Sequence, residues 1–107
     1  MVYKPFFIWY KNVWKRIDPM KVTCLITVEN YTKIYLSDKT VYMIRCSLVA
    51  AMRKLPREIF LRLDRSAIVS IYHIDEIDKE HLLIGGSSIP IARKVFNSFI
   101  KKLNTIE

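Results

Sequence analysis

The sequence predicts a mainly β domain with one short internal helix and a C-terminal helix. Three observations predict it. Aromatic, β-branched or alternating runs recur along most of the chain, with turn-favouring residues between them. Apolar residues at helical spacing occur in only two places, 47–56 and 92–104. No Ser- or Gly-rich linker or internal repeat interrupts the 107 residues, a length that can bury one core, so a single domain spanning 1–107 is expected.

The elements follow in order. "FFIWY" at 6–10 and "VWKRI" at 13–17 predict a hairpin whose tip is Lys11-Asn12, and "IDPMK" ends its second run. "VTCLITV" at 22–28, "YTKIYL" at 31–36 and "TVYMIR" at 40–45 predict three strands in meander order, divided by Glu29-Asn30 and Ser37-Asp38-Lys39. Lys33 and Tyr35 alternate there with Ile34 and Leu36. In "SLVAAMRKLP" the pattern changes: Leu48, Val49, Met52 and Leu55 recur at helical spacing, Ser47 can cap the start and Pro56 marks the stop.

Strands are then expected at 60–63, 67–71, 74–77 and 81–84, with Gly85-Gly86 turning the chain into "SSIPI". The last segment is the most periodic: Ala92, Val95, Phe96, Phe99, Ile100 and Leu103 fall at i, i+3, i+4, i+7, i+8 and i+11. Arg93, Asn97 and Lys101 lie opposite, with Lys94 and Lys102 beside them.

Eighteen Lys and Arg against ten Asp and Glu give a formal net charge of +8, which attracts polyanions at long range. The charges are unevenly spread. Asp75, Glu76, Asp78 and Glu80 lie close together, an edge expected to face away from a polyanion, whereas Ala92 to Asn104 holds four cations and no acid. Nucleic acid therefore heads the expected partners.

Nothing in the sequence points to an enzyme. There is no nucleophile beside a base and no carboxylate pair in an apolar setting, and Gly85-Gly86-Ser87-Ser88 joins two strands without the Gly-Lys-Ser ending of a phosphate loop. His73 and His81 are isolated, and Cys24 and Cys46 stand 22 apart with no Cys-x-x-Cys spacing, so no metal and no cofactor is expected. Both thiols read as free, in a reducing, cytoplasmic setting. No uncharged run is long enough to cross a bilayer, and Lys4 is followed by only a short apolar run, so neither a membrane segment nor a leader is expected.

Most aromatic residues fall where a core would claim them, but Tyr31 follows the turn Glu29-Asn30. Three connections thus present polar groups: Asn30-Tyr31, Asp64-Arg65-Ser66, and Arg93-Lys94.

Taken in order, "SLVAAMRKLP", "FLRLDRSAIVSIYHIDEI" and "IPIARKVFNSFIKKL" resemble the LytTR family of DNA-binding domains of bacterial transcriptional regulators. That family runs from a short helix beginning Ser-Leu, through Phe-x-Arg-x-His-Arg-Ser-x-Ile-Val-Asn, to Ile-Pro-Val-Ser-Arg opening the last helix, and the likeness covers roughly residues 6–104. The resemblance implies an elongated stack of small antiparallel sheets that contacts DNA through loops entering successive grooves. On matching positions it implies Tyr31 at one major groove, Arg65 at the minor groove and Arg93 at the next major groove. Arginine suits a narrow minor groove, where negative potential concentrates, and can pair with guanine in the major groove.

Asn30 shares the first loop, and Lys33, Ser66, Lys94 and Asn97 are candidates for phosphate contacts. Three departures stand out: Asp64 for the usual histidine, Ser70 for asparagine, and Ala92 for serine. The resulting expectation is sequence-specific binding of double-stranded DNA by two copies on direct repeats. The alternatives are a β-rich protein-interaction module for an acidic partner and single-stranded RNA binding.

Overall fold

The computed structural model describes residues 3–107. The N-terminal hairpin pairs β1 (Phe6–Tyr10) with β2 (Val13–Ile17), Trp9 opposite Trp14. Lys11 and Asn12 both take positive φ, 50° and 65°, the two-residue turn whose twist matches the flanking strands. Alternation sends Ile8 into the core and leaves Phe7 and Trp9 outside. Asp18 then caps a single 3₁₀ turn at Pro19–Lys21 by accepting from the Met20 N–H (2.9 Å), which ends the hairpin as expected.

Five antiparallel strands form the central sheet: β3 (Val22–Val28), β4 (Tyr31–Leu36), β5 (Val41–Ile44), β6 (Phe60–Arg62) and β7 (Ala67–Ser70), in the order β5-β4-β3-β7-β6. Strand β3 lies in the middle, with Leu25 opposite both Ile34 and Ile68. Because side chains alternate, Leu25, Ile34 and Ile68 join one core with Ile8, Ile17, Leu48 and Leu55, while Cys24, Ala67 and Val69 join a second with Leu82, Ile84 and Phe99. The sheet is therefore the middle of three layers. Ile68 and Val69, neighbours with no solvent exposure, fill opposite cores, and truncating either to alanine should cost about 2–4 kcal/mol.

On the first face, α1 (Leu48–Met52) begins at Ser47, whose hydroxyl accepts from the Ala50 N–H (3.1 Å). It is shorter than its apolar spacing suggests, and Val49 is 48% exposed rather than buried. Val49 lies about 100° around the helix from Leu48, off the strip shared with Ala51 and Met52. Leu55 still reaches the core from the turn beyond.

On the second face, β8 (Ile74–Ile77), β9 (His81–Ile84) and β10 (Ser87–Pro90) form an antiparallel meander covered by α2 (Arg93–Ile100). Gly85 and Gly86 take φ of 55° and 81°, so the β9–β10 turn needs residues without a Cβ penalty. Strand β7 stops at Ser70 rather than Ile71, because Ile71–His73 form a 3₁₀ turn. Ser70 is fully buried and its hydroxyl has no hydrogen-bond partner among the described residues. Helix α2 ends at Ile100, short of the periodic pattern, although Leu103 still packs on the second core. The molecule measures 47 × 34 × 24 Å, the elongated stack that the resemblance implies.

Candidate nucleic-acid interface

Strand pairing decides which connections meet. Strand β3 runs toward the Glu29-Asn30 turn, β7 starts opposite Ile26 and β5 ends opposite Thr32, so three connections gather at one end of the sheet. There Asn30, Arg45, Arg62 and Arg65 line a groove of about 510 Å3, closed on one side by Ser47 and Leu48 of the α1 start. Glu29 is the one acid among the described residues of this groove and sits at φ 56°, strained for a residue with a Cβ. The sequence alone does not single out Arg45. It follows the apolar strand β5 just before the Ser47 cap, and only strand pairing brings it beside Asn30 and Arg65.

The Arg65 loop is extensively hydrogen-bonded. One Asp64 carboxylate oxygen (Oδ1) accepts from both the Ser66 N–H (2.8 Å) and the Ser66 hydroxyl (3.0 Å). Arg62 donates from Nε to the Asp64 carbonyl (3.0 Å) and from Nη2 to the Arg65 carbonyl (3.2 Å). The Ser66 carbonyl accepts from the Thr27 N–H (2.8 Å), which ties the loop to β3. Arg65 itself is left exposed. Ser66, expected as a phosphate donor, already directs its hydroxyl proton at Asp64.

A second groove, about 220 Å3, lies between the end of β6 and α2 and is lined by Arg62, Leu63, Lys94, Ser98 and Lys102 among others. Arg62 borders both grooves. Lys94, Ser98 and Lys102 stand at i, i+4 and i+8, the row nearest the loop, with Lys102 just past the helix end; Arg93 and Asn97 are exposed on another row. The α2 start has Ala92 at its N-cap and no side-chain hydrogen bond there, so the serine-to-alanine departure leaves the cap unfilled.

Tyr31, which follows the Glu29-Asn30 connection, opens β4 at the predicted start of its strand, pairs with Val28 and is 40% exposed on the sheet face that also carries Lys33. The two-residue loop is completed by Glu29 and Asn30 alone, which draws Tyr31 into the ladder. Lys33 lies inside β4, half-buried, opposite Ile26 and Met43. The acidic segment, expected to face away from a polyanion, reaches the start of α2 at its β8–β9 turn. His81 pairs with Pro90, and the Ile91 N–H donates to the Glu80 carbonyl (2.8 Å), so the β8–β9 turn adjoins the lead-in to Arg93. The N–H groups of Glu80 and His81 bond the Asp78 carboxylate and hold it below the usual carboxylate range, which keeps this turn anionic.

No group of three or more His, Cys, Asp or Glu able to hold a metal occurs among the described residues. Cys24 is buried and Cys46 half-buried, both free, and burial pushes the Cys24 thiol up. No helix among the described residues is long and apolar enough to cross a membrane.

A stacked antiparallel framework that gathers cations on its connections defines a class of β-scaffold binding domain. The profile of the LytTr DNA-binding domain matches residues 12–104, and the chain belongs to that family. It is thus a DNA-binding domain by family. The fold is similar to that of a LytTr DNA-binding domain of a putative methyl-accepting/DNA response regulator from Bacillus cereus, at 22% identity and a TM-score of 0.76, covering 96% of this chain and 99% of that one. No curated protein matches.

Proposed function

We propose that residues 1–107 form a single folding unit that binds double-stranded DNA with sequence preference, as the cytoplasmic output domain of a transcriptional regulator. In this reading Asn30 and Tyr31 approach one major groove, Arg65 enters the minor groove between, and Arg93 enters the next major groove. Lys33, Lys94 and Asn97 contact phosphates and set register, and the Ser66 backbone holds the loop that carries Arg65. Two copies occupy direct repeats, forming a homodimer on the DNA. The domain needs no metal or cofactor and catalyses no reaction.

The observation that supports this reading best is that Arg62 borders both grooves, so that Asn30 and Arg65 in one and Lys94 in the other share a cationic neighbour. Selection of bound duplexes from a random pool tests it: an enriched motif, repeated at a fixed spacing, is the expected result. An unenriched pool would leave only charge attraction. Duplex affinity should also fall linearly with log salt at a slope of about −0.9 per phosphate contact, and duplex should outcompete single-stranded RNA.

A further inference from the structure

We propose that Arg62 is a positioning residue, whose guanidinium holds the Arg65 loop in its DNA-ready shape before DNA arrives; this rests on the reading that Arg65 contacts DNA. Arg62 ends β6 opposite Ile68, and its side chain folds back over the turn that follows. One planar fork donates to two successive carbonyls, those of Asp64 and Arg65, so the backbone is fixed on both sides of the Arg65 Cα.

Several other polar groups of the loop are also paired. Asp64 takes both Ser66 donors, the Leu63 and Asp64 N–H groups reach the Ala67 carbonyl (2.9 and 3.4 Å), and Thr27 holds the Ser66 carbonyl. The Arg65 side chain is left outside this network. A loop fixed in this way loses little further conformational freedom on binding, which is how preorganisation raises affinity. Lysine at position 62 would keep the charge but lose the fork, because an ammonium is a compact point donor.

The test uses the 107-residue chain with Arg62→Lys, Arg62→Gln and Arg65→Ala, measured on a selected duplex at several salt concentrations. Arg62→Lys is expected to lower specific affinity about tenfold with the salt slope unchanged, and to add almost nothing in the Arg65→Ala background. In the free protein, amide exchange at Ser66 and Ala67 should quicken in Arg62→Lys while the melting temperature stays within a few degrees. A neutral Arg62→Lys, with Arg62→Gln reducing the slope by about 0.9, would make Arg62 a phosphate contact and overturn the proposal. An equal loss with and without Arg65 would also overturn it. If Arg65→Ala binds DNA normally while exchange still quickens in Arg62→Lys, the brace stands and the DNA role of Arg65 fails.

Discussion

Arg65 and Arg93 are presented in opposite ways. Arg65 rides on a loop whose carbonyls and N–H groups are held by Arg62, Asp64, Ala67 and Thr27. Arg93 opens a helix whose cap residue, Ala92, supplies no side-chain oxygen to the first-turn N–H groups. The surroundings differ as well: the Arg65 groove holds three arginines and one acid among its described residues, whereas the approach to Arg93 adjoins an anionic turn. On the proposed reading the first arginine would be set before DNA arrives, whereas the second stands beside backbone donors open to solvent or an anion. Two exposed arginines carried by one scaffold are therefore presented by backbones that differ in how fully their polar groups are paired.

The largest expected effect separates the two by what they read. Arg93→Ala should cost about 1–3 kcal/mol of discrimination between selected and scrambled duplexes, whereas Lys94→Ala should weaken both alike. Parallel titrations of the two duplexes check this, and an equal loss on both for Arg93→Ala would remove base readout from that residue.

Asp64→Ala sharpens the contrast through its sign. Removing a negative charge beside a polyanion should strengthen binding, but losing the acceptor of two Ser66 hydrogen bonds should loosen the loop by about 1 kcal/mol. The expected outcome is weaker specific binding, read by fluorescence anisotropy; tighter binding would show that Asp64 acts only as a charge.

Ala92→Ser should supply the missing cap and stabilise the fold by about 0.5–1 kcal/mol, seen as a higher melting temperature. Smallest is Glu80→Gln, which removes one charge from the turn beside the Arg93 lead-in. A rise of about twofold in affinity for any duplex is expected at low salt, vanishing at high salt as screening takes over.

Much of the fold is legible in the sequence because its signals are local. The two-residue tip Lys11-Asn12, the paired glycines 85 and 86, and the Ser47 cap each act within a few residues, and all three stand where their residue types place them. Element ends are less legible. Helix α1 and strand β7 both stop early, since apolar residues beyond them reach the core from turns. At the candidate site, Arg65 and Arg93 can be named from their motifs, and Tyr31 begins its strand where the pattern places it, directly after the two-residue turn. Arg45 goes unmarked because its relevance depends on β5 ending beside Asn30 and Arg65.

By itself the sequence determined the alternation that makes strands, the turn residues that reverse them and the excess of cations, all properties of neighbours along the chain. Only the tertiary structure decided that β7 pairs with the other edge of β3, which brings Asn30, Arg45 and Arg65 to one groove, and that Arg62 turns back to the backbone. The reason is physical: register and layer stacking are settled by burying both faces of one sheet at once, a condition that no short stretch of residues can express.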